Sequence, residues 1–200
     1  MPVLSILKSK SIKPDYITVV SGLPRSGTSM MMQILEAGGI QPITDNVRQA
    51  DTDNSRGYYE HELVKALVRG NQASLKDAQG KAVKVVSTLL RYLSQKHQYK
   101  VIFMHRELQH VLASQKRMLN NLGSTADQEN DSQLTQFYAQ HLCKINNWLN
   151  QKENIQVLHL NYADVLADPK KNIKQLLNFL ELDLNSRKML TVIDASMRHH

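Results

Sequence analysis

Between Ile17 and Ala37 the chain reads ITVVSGLPRSGTSMMMQILEA, and no other stretch restricts the possible fold as tightly. Ile17, Val19 and Val20 are β-branched, as suits a short buried strand. Gly22 and Gly27 bound a loop in which the chain can turn sharply and aim backbone N–H groups inward. Thr28 and Ser29 then open a helix whose Met30, Met31, Met32, Ile34 and Leu35 read as core packing, a use to which flexible Met is well suited. The unbonded N–H groups of a helix start, together with its dipole, favour an anion. A serine-rich turn before a core helix is the plainer reading. It leaves the ordered set of strand, glycines, arginine, hydroxyl pair and helix without a reason.

The loop Gly22-Leu23-Pro24-Arg25-Ser26-Gly27-Thr28-Ser29 keeps the glycine spacing of a P-loop, with Thr28 where a nucleoside triphosphatase carries lysine. Its cation, Arg25, sits earlier, inside the loop. The displacement implies an anion of a different shape from a γ-phosphate.

Beyond this stretch, strand-like and helix-like segments alternate. Strands are predicted at Ile40 to Ile43, Ala82 to Val86, Val101 to Met104 and Ile155 to Leu160. Helices are predicted near His61 to Arg69, Leu108 to Leu119, Lys171 to Leu180 and Ser186 to Ile193. Another is marked by Leu134, Phe137, Tyr138, Ile145, Trp148 and Leu149, which recur at helical spacing. Such alternation predicts an α/β fold, a three-layer α/β/α arrangement with a central parallel sheet of the P-loop nucleotide-binding type. Two hundred residues suit a single domain spanning 1–200. The polar stretch Asn120 to Asp131 has no apolar period and is the predicted loop or lid.

The chain carries 25 basic and 18 acidic residues, a net charge of +7 that suits anionic small molecules. Nucleic acid is the minor alternative, since the basic residues are dispersed and aromatics make up only 6%. No apolar run approaches a membrane span, and the N-terminal segment is too short and too interrupted by charge for a signal-peptide core. The single cysteine, Cys143, excludes an intramolecular disulfide and any multi-cysteine zinc site. It is expected as a buried thiol on an amphipathic helix, in a cytoplasmic protein.

Pro24-Arg25-Ser26-Gly27-Thr28-Ser29 resembles the 5′-phosphosulfate loop of sulfotransferases that use 3′-phosphoadenosine 5′-phosphosulfate (PAPS), in which a lysine or arginine follows the proline. In VIFMHRELQHVLASQ, Arg106 follows a predicted strand and Ser114 lies eight residues later, about two turns along the next helix. A guanidinium and a hydroxyl so placed can grip one phosphate, and the spacing is similar to that family's 3′-phosphate site. Alone, the pair would read as a salt-bridging arginine and a helical serine bonded to its own backbone. The resemblance continues in Ala82-Val83-Lys84-Val85-Val86, where Lys84 matches the family's strand lysine. It extends to Asn161-Tyr162-Ala163-Asp164-Val165-Leu166-Ala167-Asp168-Pro169 and to Asn178-Phe179-Leu180-Glu181. It implies a short bacterial-type member that moves a sulfuryl group from PAPS to a hydroxyl or amine, on a small-molecule, glycan or peptide acceptor. Arg25 and Lys84 would steady the leaving oxygens without any need for a metal.

Two departures stand out. Val86 occupies the position where cytosolic members carry a catalytic histidine, and the glycine- and lysine-rich segment that closes over the nucleotide is not matched. Some short relatives use a glutamate as base, which places Glu60, in DTDNSRGYYEH, first for that role; Asp51 and His61 follow. Gly57 can bend this segment towards the loop, and Arg56 is a weaker candidate to steady the sulfonate. Two other readings stay open. A P-loop kinase or triphosphatase should show a strand-end aspartate for magnesium, whereas Val101 to Met104 runs into His105-Arg106. A nucleotide-binding module without catalysis would account for Val86.

Overall fold

The computed structural model describes residues 14–43, 75, 77–121 and 131–193. Among them are four parallel strands, β1 (Tyr16–Gly22), β2 (Ala82–Lys84), β3 (Gln98–His105) and β4 (Ile155–Asn161), in the order β2-β1-β3-β4. Six α-helices accompany them among the described residues: α1 (Thr28–Gly38), α2 (Leu108–Asn121), α3 (Asp131–Asn150), α4 (Tyr162–Ala167), α5 (Pro169–Leu180) and α6 (Ser186–Val192). A short 3-10 helix, Ser87–Tyr92, follows β2.

Strand residues alternate between two cores, as a period of two requires. Val20, Ile102, Met104 and Leu160 face one side, against Met31, Ile34 and Leu35 of α1 and Ile173 and Leu176 of α5. Ile17, Val19, Val101 and Phe103 face the other, against Leu90 of the 3-10 helix and Ile145 and Leu149 of α3. Every residue of β1 is buried, because helices cover both faces of a parallel sheet. The expected three-layer architecture is therefore the observed one.

Local chemistry sets the helix starts. Asp168 accepts from the Lys171 N–H at 3.1 Å and Pro169 occupies the first turn, so α5 begins two residues before the predicted Lys171. Asn161 caps α4 through the Ala163 N–H at 2.8 Å, and Asn185 caps α6 through the Lys188 N–H at 3.0 Å. At the far end of α5, the buried Lys100 donates to the Phe179 carbonyl at 2.8 Å and meets Glu181 at 2.7 Å, a cation where the helix dipole favours one.

Four expectations are corrected. Ile40 to Ile43 forms only an isolated bridge between Pro42 and Ala82; Pro42, which has no N–H, suits an edge and not a ladder. The second predicted strand stops at Lys84, although the Val85 N–H still bonds to the Val20 carbonyl at 2.9 Å; Val86 then leads into the 3-10 helix. Cys143 is exposed. The inward stripe of α3 runs through Ile145 and Leu149, and a residue two positions before Ile145 lies on the opposite side of the helix. At the predicted lid, Asn120 and Asn121 continue α2 and Asp131 opens α3, so these three residues are helical; residues 122–130 lie outside the described residues.

The strand order fixes where a ligand can sit. From β1 the chain moves to β2 on one side, whereas β3 lies on the other, so the carboxyl ends of β1 and β3 flank the point where the winding reverses. In open α/β sheets that crevice is where ligands bind. Gly22, which ends β1, is paired with Met104, so the loop and Arg106 emerge side by side.

Candidate active site

The loop after β1 is held in an unusual backbone conformation. Gly27 has φ 98°, and a Cβ there would stand 2.4 Å from Cδ2 of Tyr162. At Gly22 a Cβ would stand 2.6 Å from the Met104 carbonyl oxygen. Arg25 also lies in the left-handed region, at φ 68°, which an L side chain adopts at some cost. From that backbone its Nε donates to Ser114 Oγ at 2.9 Å.

Ser114 is buried on α2, and Arg106, at the start of the β3–α2 connection, donates from Nη1 to the Arg25 carbonyl at 3.1 Å. The loop arginine and the Arg106–Ser114 pair, drawn from separate parts of the sequence, are thus one hydrogen-bonded assembly. Lys84 comes to the same place from β2, with Nζ 3.5 Å from Ser29 Oγ in the first turn of α1. Arg25, Lys84, Arg106 and Ser114 all meet around residues 24–29, the stretch that holds Pro24, Ser26, Gly27, Thr28 and Ser29. Ser26 Oγ is buried in the loop with no hydrogen-bond partner among the described residues, a donor that an anion oxygen would satisfy.

Tyr162, which the sequence pattern alone gives no role, forms a wall of the cradle. Its ring lies against Gly27, and the Arg106 guanidinium stands 4.6 Å from the ring centroid. Burial pushes the Tyr162 phenol above its ordinary pKa, opposed by the charges of Arg106 and Arg25. Burial likewise lowers the Arg106 pKa; Tyr162 opposes the shift, while Arg25 and Arg117 add to it. Gathering guanidinium groups in this way is the electrostatics of an anion site.

Two histidine contacts were also not legible in the sequence. His105 Nε2 and His159 Nδ1 are 2.8 Å apart where β3 and β4 end, and burial lowers both pKa values. After β2, Ser87 Oγ lies 2.9 Å from His141 Nε2. A groove of about 220 Å³ between β4 and α5, lined by Asp164, Asp168 and Lys171 among others, shares no residue with the cradle. Glu60, Asp51, Asp53, His61, Arg56, Gly57 and the helix expected near His61 to Arg69 lie outside the described residues. Among the described residues, no helix is long and apolar enough to cross a membrane.

The family profile described as a sulfotransferase domain matches residues 15–198. Among solved structures, the chain is similar to mouse sulfotransferase SULT7A1 complexed with PAP, at 18% identity and a TM-score of 0.53, covering 90% of this chain and 62% of that one. The chain therefore spans less than two thirds of the mouse enzyme. It is also similar to the sulfotransferase domain from the curacin biosynthetic pathway, at 18% identity and a TM-score of 0.55, covering 92% and 79%. A third likeness is to the sulfotransferase domain from the Synechococcus PCC 7002 olefin synthase, at 15% identity and a TM-score of 0.52, covering 96% and 86%.

Proposed function

The chain belongs to the sulfotransferase family, and from that premise we propose that it moves a sulfuryl group from PAPS to a hydroxyl or amine acceptor. The observation that carries this reading is the assembly of Arg25, Arg106 and Ser114 beside a glycine-bounded loop and a helix start. The residues fit such a donor: the loop N–H groups, Ser26, Thr28 and Ser29 suit the 5′-phosphosulfate, and Arg106 with Ser114 suits the 3′-phosphate. The PAP named with the mouse enzyme is a molecule of this type.

Sulfuryl transfer forms a bond from the acceptor oxygen or nitrogen to sulfur as the bond from sulfur to the phosphate oxygen breaks. Charge builds on the leaving oxygen, and Arg25 and Lys84 are the cations beside it. At about 4 Å and an effective dielectric near 20, each contributes roughly 4 kcal/mol of gross attraction before desolvation. Pre-positioned guanidinium and ammonium groups do this without reorganising. The acceptor must also lose a proton, a role for which the sequence ranks Glu60 ahead of Asp51 and His61. Acceptors are small molecules, glycans or peptides, and the proposed setting is the cytoplasm.

Transfer of labelled sulfate from PAPS to a panel of phenols, alcohols and amines, in the presence of a metal chelator, tests the reading. Chelator-insensitive transfer is expected. ATP turnover without PAPS affinity would replace the reading with a kinase or triphosphatase. Tight bisphosphate binding without transfer to any acceptor would favour a binding module, the reading Val86 suggests.

A further inference from the structure

Val86 is apolar, yet an imidazole does reach the chain at the end of β2, from a different element. Ser87 opens the 3-10 helix three residues beyond Lys84 and is 1% exposed. Two residues earlier, the Val85 N–H is bonded to the Val20 carbonyl of β1 at 2.9 Å, so this stretch is tied to the strand that delivers the loop. His141 crosses from α3 to place Nε2 2.9 Å from Ser87 Oγ. It lies on the inward stripe of α3, one turn from Tyr138 and one from the buried Ile145; the Tyr138 hydroxyl donates to Gln115 of α2 at 3.0 Å. The ring is thus fixed at one nitrogen by a buried hydroxyl on the segment that also carries Lys84.

We propose that His141 is the general base of the transfer and Ser87 its positioning residue, an inference that rests on reading the loop as a PAPS site. Nε2–H donates to Ser87 Oγ, which leaves the lone pair on Nδ1. As the acceptor oxygen bonds to sulfur, its proton passes to Nδ1. The electron pair of the breaking S–O bond stays with the 5′-phosphate oxygen, and the imidazolium later returns the proton to solvent. Nothing is oxidised or reduced. The imidazole is held neutral near pH 7, as a base must be: burial lowers its pKa first, and the charges acting on it, Arg91 of the 3-10 helix and Lys144 of α3, lower it further. This assignment takes the role from Glu60.

The test uses the full chain, PAPS as donor, and water and 4-nitrophenol as acceptors, with calorimetric binding of 3′-phosphoadenosine 5′-phosphate (PAP) on every variant. H141Q is expected to lower turnover by about 10²- to 10⁴-fold, the usual worth of a general base. Its PAP dissociation constant should stay within about twofold, because the base does not touch the nucleotide. The acid limb of the native kcat/KM profile should have its midpoint below the ordinary histidine value of about 6.5 and should vanish in H141Q. S87A should lose turnover, and S87T, which keeps the hydroxyl, should restore it; this pair decides the matter if H141Q fails to fold. Native-like turnover in H141Q, a dead E60Q beside an active H141Q, or no turnover by a native chain that binds PAP would each overturn the assignment. Failure of the native chain to bind PAP would instead remove the donor reading beneath it.

Discussion

Replacing Gly27 with alanine tests how the loop is built, because the structure divides the cost into two parts. The first is backbone strain: at φ 98° an L side chain loses about 1–2 kcal/mol. The second is steric. The new Cβ would stand 2.4 Å from Cδ2 and 3.2 Å from Cε2 of Tyr162, so the ring has to move. Tyr162 is buried and carries the Arg106 guanidinium over its face, and displacing such a ring costs about 1–3 kcal/mol, the range for overpacking. Gly39→Ala is the control, since Gly39 has φ 112° and, among the described residues, no heavy atom within 4 Å of an added Cβ. It should cost only the strain. Urea unfolding should therefore show Gly27→Ala losing about 2–5 kcal/mol and Gly39→Ala about 1–2 kcal/mol. Because the ring moves Arg106, PAP affinity should fall about tenfold or more in Gly27→Ala and stay within about twofold in Gly39→Ala. Equal destabilisation of the two variants, or unchanged PAP binding in Gly27→Ala, would refute the claim that Tyr162 shapes the cradle.

Arg106→Ala should weaken PAP binding by about 1.5–3 kcal/mol, the scale of a charge-assisted hydrogen bond; an unchanged calorimetric constant would remove Arg106 from the site. Arg25→Lys keeps the charge but loses the Nε donor that meets Ser114, so PAP affinity should fall by about 1–2 kcal/mol; wild-type affinity would show that charge alone suffices. Lys100→Ala removes the buried ammonium that ties β3 to the end of α5 and should cost about 2–4 kcal/mol in urea unfolding, read from the midpoint at constant slope. His105, His141 and His159 all have pKa values lowered in the folded chain, so the unfolded chain binds more protons. Their contribution is fully present above the ordinary value of about 6.5 and is lost as pH falls through it towards the depressed values. The melting temperature should drop between pH 7 and pH 5, less steeply in His105→Gln; a pH-independent melt in this window would contradict the packing of these rings.

Much of the architecture could be read from residue order. The β-branched run Ile17 to Val20, the glycines and the methionine-rich helix specify β1, the loop and α1 through local rules, and those rules held. Arg106 and Ser114 were also legible, because eight residues separate a strand end from an inward helical position. What escaped depends on contacts between distant segments. No spacing shows that Arg25 would bond to Ser114, 89 positions away, or that Tyr162 would close against Gly27. His141 was hidden for the same reason: it meets Ser87 only when α3 crosses the sheet. Cys143 was misplaced because an amphipathic pattern gives a helix but leaves the exact phase of its buried stripe open by a residue or two. Pro42 shows the opposite case, where one residue's missing N–H reduces a predicted strand to a bridge.

The two-ended grip on a nucleotide is tested most directly by calorimetry with PAP, adenosine 5′-phosphate and ATP, each with and without magnesium. The account predicts that PAP binds without magnesium and about tenfold to a hundredfold tighter than adenosine 5′-phosphate, the worth of a 3′-phosphate held by Arg106 and Ser114. ATP should not match it under either condition. Equal affinity for PAP and adenosine 5′-phosphate, or magnesium-dependent binding of ATP in preference to PAP, would contradict it.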